Sequence, residues 1–248
     1  MTTHSKADKY VPGMYPKTRP DAAEMAAKYV HEWDQKRLEI ATTEGKAKYW
    51  PAICFSREVA VGALEIAVTL AERIGYRVVD RQILEYIASQ ANLSEKTAAL
   101  FDERYPGKLS EFLSMAFGEK AFTKSDYTRH LFKAVVAIAG LGPALFVGRG
   151  THLLAPPNLL LAVRFIASQE YRIKRLAAGL GLSESEAAVK LDEMDKKQRA
   201  FFKAVYGKKE VSPHEFDLVI NCDSLGSPGC AADIIERAFR EKFPGKLK

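Results

Sequence analysis

Cysteine is scarce in this sequence. The three present, Cys54, Cys222 and Cys230, are too few and too scattered for a disulfide framework, and no CxxC pair points to zinc. Histidine is sparse as well. The five residues, at positions 4, 31, 130, 152 and 214, stand isolated, so linear spacing offers no Ser-His-Asp or Cys-His pairing. No apolar run reaches the roughly 20 residues that a bilayer demands. The longest, Ala134 to Val147, is interrupted by Gly140, Gly142 and Pro143. The opening residues are polar and lack the apolar centre of a secretory signal. These absences predict a chain with no membrane partner, at work in the reducing cytoplasm.

What is present fits a globular α/β protein. The 248 residues are 47% hydrophobic and 27% charged, enough to bury a substantial core. The net charge of +6 suits a protein that handles phosphate and serves equally as a solubilising surface charge. No basic-aromatic RNA signature occurs, so nucleic acid is not an expected partner. No internal repeat or low-complexity segment is evident.

Residues 1–20, with Pro12, Gly13, Pro16 and Pro20, read as an extended arm. Asp21 can cap a helix to about Thr43, with Ala26, Val30 and Trp33 on one face. A first strand follows at Ala52–Ser56. A helix then runs from Gly62 to Ile74, with Gly75 placed as its C-terminal cap. Tyr76–Val79 is a second strand, and Asp80 caps a helix to about Gln90. The middle of the chain, from Asn92, reads as several helices, the last ending at Gly140. Ala144–Val147 and Leu159–Ala167 are apolar strands. Ser168 caps a helix over Gln169–Ala178. Ser183 and Glu186 form a capping box for a helix to about Val205. Phe216–Cys222 and Ala231–Lys242 are the last strand and helix. Continuously apolar strands alternating with helices predict a parallel sheet covered on both faces. Residues 1–50 form an N-terminal arm and helix, and 51–248 one α/β domain.

Several stretches in this order resemble the cytidylate kinase-like family of P-loop nucleotide kinases. They are Ser56-Arg57-Glu58 with Gly62 and Glu65-Ile66-Ala67, then Val79-Asp80-Arg81, then Phe146-Val147-Gly148-Arg149-Gly150. Arg164-Phe165-Ile166-Ala167 and Tyr171-Arg172-Ile173-Lys174-Arg175 look like that family's strand and lid-entering helix. Asp195-Lys196-Lys197-Gln198-Arg199-Ala200 looks like its lid, and Phe216 to Asn221 like its last strand. The resemblance implies an α/β/α three-layer fold around a five-stranded parallel sheet, with a lid at about 179–210. It also implies transfer of the γ-phosphoryl of ATP to a nucleoside monophosphate, CMP-like, with Mg2+ accompanying ATP.

A phosphate loop of the GxxxxGK[ST] type supplies backbone N–H groups, a lysine for the β/γ oxygens and a hydroxyl for magnesium. The matching stretch here is Arg57-Glu58-Val59-Ala60-Val61-Gly62-Ala63-Leu64. One signature glycine remains, Gly62. Ala63 stands at the lysine position and Leu64 at the hydroxyl position. Val61 disfavours positive φ and is expected to take up space a phosphate would use. Glu58 brings a negative charge beside the loop. The helix beginning near Gly62 still offers free N–H groups and the positive end of its dipole.

Ser56, Arg57, Gly62, Ala63 and Leu64 are therefore the candidate nucleotide-phosphate loop. Arg57 and Arg149, each following a strand at the carboxyl edge of the sheet, are expected to face one anion. Arg57 paired with Glu58 or another carboxylate is the alternative. Asp80, Arg81, Gly148 and Arg149 are candidates for the acceptor side, although Asp80 serves equally as a plain helix cap. Arg172, Arg175 and Arg199 could close over a transferring phosphoryl group, unless they form a solvated face with Asp195 and Arg199 paired. Glu65, Asp102 and Asp217 lack the spacing of metal ligands, and no metal site is assigned. His152 is the histidine nearest the inferred site and reads as structural. Three functions remain open: a nucleotide kinase, a catalytically silent scaffold that binds a nucleotide or a partner, and, more weakly, nucleic-acid binding through a basic surface. A homo-oligomer or a protein partner would dock through the N-terminal extension, where Trp33 and Trp50 lie in or beside it.

Overall fold

The structure, a computed structural model, describes residues 23–29, 31–32, 50–89, 98–99, 126–154, 157–225 and 227–247. The chain runs β1 (Ala52–Arg57), α1 (Ala63–Ile74), β2 (Arg77–Asp80), α2 (Arg81–Ser89) and α3 (Asp126–Leu141). It continues through β3 (Ala144–Val147), β4 (Leu160–Ile166), α4 (Gln169–Leu180), α5 (Glu184–Tyr206), β5 (Leu218–Asn221) and α6 (Pro228–Lys242). The five strands form one sheet in the order β2-β3-β1-β4-β5, every pairing parallel.

Alternation of side chains along each strand builds the three layers. Ala52 and Cys54 of β1, Ala144 and Phe146 of β3, and Leu160 and Ala162 of β4 point to one face. There they meet Ile83, Leu84 and Ile87 of α2 and Leu131, Val135 and Ile138 of α3. Their neighbours Ile53, Phe55, Leu145, Val147, Leu161, Val163 and Phe165 point to the other. There they meet Leu64, Ala67 and Leu70 of α1 and Ile235 and Phe239 of α6. Burial on both faces explains why these strands read as unbroken apolar runs.

The sequence signals place most boundaries well. Gly75 takes φ 70° and caps α1, its N–H donating to the Ala71 carbonyl. Asp80 accepts from the Ile83 N–H at 3.1 Å and starts α2. The Ser183–Glu186 capping box forms in full. Several ends shift by a residue or two, such as β5 starting at Leu218 rather than Phe216, and two shifts have a local physical reason. Helix α3 continues through Gly140 to Leu141, because a helical glycine costs only about 1 kcal/mol and Leu141 is buried in the core. Helix α6 starts at Pro228, where Ser227 accepts from the Cys230 N–H and proline fills the first turn.

Residues 23–29 and 31–32 are helical and pack on the chain's own edge strand. Ala26 is fully buried in the α2–α3 core. Tyr29 donates to the Val78 carbonyl at 3.2 Å, and Arg77 donates twice to Glu32, at 3.1 and 2.6 Å. The arm over residues 1–20, the Asp21 cap, Val30 and Trp33 lie outside the described residues, as do the helices read from Asn92 onward up to residue 125, apart from positions 98–99, which are helical. No described helix is long and apolar enough to cross a membrane.

Candidate functional site

The carboxyl ends of β1, β3 and β4 meet at the segment joining β1 to α1. The Glu58 N–H donates to the Phe165 carbonyl at 3.1 Å, fixing the exit from β1 against β4. The chain then bends sharply. Ala60, with φ 65°, and Gly62, with φ 81°, both take left-handed backbone. In the alanine this costs about 1 kcal/mol, and strain of this kind gathers at functional bends.

Two valines anchor the bend in different cores. Val59 packs with Leu176, Leu191 and Met194 of the α4–α5 pair. Val61, 3% exposed, packs with the residues beneath α1. The expectation that Val61 takes up phosphate space is thus corrected, because its side chain is drawn into the core and Ala60 carries the positive φ instead.

No side chain caps α1. The amides of Gly62, Ala63 and Leu64 donate to no backbone acceptor among the described residues, and the first such bond at the helix start comes from Glu65. Ala63 and Leu64 are buried, so the helix start offers N–H groups and dipole but neither an ammonium nor a hydroxyl. Ser56 Oγ, the nearby alternative hydroxyl, accepts from Arg164 Nη1 at 2.9 Å.

Arginines and carboxylates surround this bend. Glu58 accepts from the Ala167 N–H at 3.0 Å and lies 3.7 Å from Arg172 and 4.0 Å from Arg164. Its charge is therefore compensated rather than left beside the loop. Arg172 also pairs with Asp195 at 2.9 Å. The alternative pairing of Asp195 with Arg199 does not form, and Arg199 is exposed. Arg175 pairs with Glu65 and lies over Gly62 so closely that a Cβ there would stand 2.8 Å from Nη2. Gln198 donates to the Arg57 carbonyl at 2.9 Å.

Arg57 and Arg149 do come together. A Cβ on Gly148 would sit 3.0 Å from the Arg57 guanidinium carbon. Burial foremost, then the charges of Arg81 and Arg57, pushes the Arg149 pKa down to about 9, which still leaves it cationic at neutral pH. Arg149 itself has φ 55°. Its guanidinium pairs with Glu85 and lies 4.0 Å over the Phe201 ring. Its carbonyl accepts from the Tyr206 hydroxyl. Glu85 also holds Arg81, at 3.2 Å. Asp80 is used as the cap of α2.

The remaining candidates go elsewhere. The buried His152 Nε2 lies 3.3 Å from Glu215, whose carboxylate also pairs with the partly exposed Lys208 at 2.7 Å. Asp217 accepts from the Ala162 N–H and from Lys242. No group of metal-ligating side chains occurs among the described residues, and Asp102 lies outside them. Glu85, Phe201 and Tyr206 were not foreseen, and Gln198 was read only as part of the lid stretch, with no role of its own. The Arg81–Glu85 spacing of i,i+4 was the one legible signal; the other three depend on where α5 crosses the sheet edge.

This topology, with a bend of free amides between β1 and α1, defines a scaffold of the P-loop kinase type. The chain belongs to the cytidylate kinase-like family, whose model matches residues 52–224. Among solved structures, an uncharacterized protein from Eubacterium ventriosum is 20% identical, with 78% of this chain and 99% of that one covered and a TM-score of 0.57. That likeness shows a shared fold. A shikimate kinase from Bacteroides thetaiotaomicron aligns at 12% identity, 77% and 97% coverage and a TM-score of 0.39. A dephospho-CoA kinase from Campylobacter jejuni aligns at 14%, 79% and 98%, and 0.32. No curated protein matches the chain.

Proposed function

We propose that the chain binds the phosphates of ATP at the bend after β1 and transfers the γ-phosphoryl to a nucleoside monophosphate held beside Arg149. The observation that carries this reading is the uncapped start of α1, lying beneath Arg175 and near the adjacent Arg57 and Arg149. Free amides at a helix start favour a phosphate, and guanidinium forks bind its oxygens in pairs. In the reaction an acceptor phosphate oxygen forms a bond to the γ-phosphorus. The bond from that phosphorus to the β-bridging oxygen breaks, leaving a nucleoside diphosphate on each side. Arg57 and Arg149 hold the acceptor in line, and Arg172, Arg175 and Arg199 oppose the charge spread over the transferring group.

The residues fit a polyphosphate better than a protein-held metal. Leu64 puts a buried apolar side chain at the usual hydroxyl position, and Ser56 Oγ is engaged by Arg164. Magnesium would therefore enter on the nucleotide, and no step here is routed through it. The cytoplasm, reducing and rich in nucleotides, is the compartment this reading requires. The helical part of the extension is spent on the chain's own β2, so a partner or a second copy would have to use other residues.

A silent scaffold is the second reading. It is favoured by the ion pairs that already occupy Arg172 and Arg175 and by the missing lysine. Thermal-shift measurements with ATP, CMP and other nucleotides, followed by a coupled phosphotransfer assay, separate the two. A nucleotide at a hundredfold its Kd should stabilise the fold by about 2.7 kcal/mol. Stabilisation with transfer supports the kinase, and stabilisation without transfer the silent scaffold. No response to any nucleotide refutes phosphate binding at the bend.

A further inference from the structure

Helix α5 touches both halves of the candidate site. Near its middle, Asp195 pairs with Arg172 and Gln198 holds the Arg57 carbonyl. At its C-terminal end, Phe201 and Tyr206 reach the segment after β3. Asp195 and Tyr206 are about 16 Å apart along one helix. The same rigid element therefore holds the phosphate loop and the acceptor-side arginine.

The hold on Arg149 is detailed. Its backbone is left-handed, φ 55°, a conformation that a non-glycine residue keeps only when its surroundings fix it. The Tyr206 hydroxyl donates to its carbonyl. The Tyr206 ring also fills the space beside Gly150, where a Cβ would meet ring carbon Cε2 at 2.5 Å. The guanidinium is stacked over Phe201 and tied to Glu85. Its Nε is buried without a hydrogen-bond partner, so the group is oriented by stacking and by one ion pair rather than by a full donor network.

We propose that Tyr206 and Phe201 are positioning residues for Arg149, fixing its guanidinium where an acceptor phosphate would be held. The proposal rests on the reading that Arg149 takes an anion, but the placement of Arg149 can be tested without any ligand. Tyr206→Phe keeps the ring and removes the hydroxyl, and Phe201→Leu removes the stacking face. Val205→Ala, a buried change in the same turn, reports general loosening of the helix end.

Modification of Arg149 by phenylglyoxal, read by peptide mass spectrometry, should be slow in the parent protein. Losing one hydrogen bond should make it about fivefold faster in Tyr206→Phe, and Phe201→Leu should act the same way. Val205→Ala should lower Tm and leave the Arg149 rate unchanged. Equal rates in the parent and Tyr206→Phe, or an equal rise in Val205→Ala, would overturn the proposal. In parallel, CMP binding should weaken about fivefold in Tyr206→Phe, with ATP binding unchanged and CMP binding lost in Arg149→Ala. If the parent binds neither CMP nor any other nucleoside monophosphate, the function proposed above fails, and the phenylglyoxal rates alone decide the positioning role. If the parent binds CMP through Arg149 and Tyr206→Phe binds it equally well, the positioning role alone fails.

Discussion

Glu65 and Arg175 form an ion pair across the backbone of Gly62, and two effects of that carboxylate oppose each other. In the first turn of α1 it favours the helix dipole, by about 0.5 kcal/mol. At the same place it occupies a guanidinium that a phosphate would otherwise engage. Glu65→Gln should therefore lower stability slightly, read as a smaller urea midpoint, while tightening phosphate or ATP binding by about threefold. A parallel loss of both would sink the argument. Arg149→Ala acts differently. Burial foremost, then the charges of Arg81 and Arg57, pushes the Arg149 pKa down, so a bound anion would relieve repulsion as well as make contacts. The substitution should abolish anion-induced thermal stabilisation, and an unchanged response to sulfate or nucleotide would show that Arg57 and Arg149 share no site.

The N-terminal helical segment has a use of its own at the scale of the element. β2 is an edge strand, and an exposed edge invites pairing with another chain. Tyr29 takes the Val78 carbonyl and Glu32 takes Arg77, so the segment covers that edge. Removing the doubly bonded carboxylate in Glu32→Ala should cost about 2 kcal/mol, measured by urea unfolding. Exchange of the β2 amides should quicken, and unaltered exchange would mean the segment is only loosely laid on the edge. The sequence carried part of this design. Ala26 was legible as a buried position, but Tyr29 and Glu32 were not, because their partners Val78 and Arg77 are 49 and 45 residues away. The strands were legible because burial on both faces makes them uniformly apolar. Helix α3 was misread at Gly140 because local propensity is weaker than the burial of Leu141. The arginines at the strand ends were legible from topology alone. Gln198, Phe201 and Tyr206 were not, since contacts along α5 follow from its crossing angle and leave no trace in spacing.

Acid stability is a property of the whole molecule, and here it turns on one histidine. His152 is buried between the segment after β3 and the segment before β5. Phe216 is packed on its ring, and Glu215, Lys208 and Arg164 are the charged groups around it. Burial foremost lowers its pKa from 6.5 to about 4, and Glu215 only partly opposes this. Between those two values the unfolded chain binds a proton that the folded chain refuses. Stability therefore rises with pH across that window, by up to about 1.4 kcal/mol per unit, and falls as the solution is acidified below 6.5. Glu215 adds to the loss further down. Burial raises its pKa, but the bonds from Lys208, the Ser212 N–H and His152 outweigh that and leave it lowered. Its contribution is present above the ordinary carboxylate value of 4.5 and disappears as pH falls through its folded value. The protein should therefore begin to lose stability near pH 6.5, well before carboxylates titrate. His152→Gln should flatten the curve between pH 6.5 and 4.5 while leaving the steeper decline below it. Urea midpoints at pH 7, 5.5 and 4.5 for the two proteins decide the matter: parallel curves would mean that His152 accepts its proton without leaving the fold.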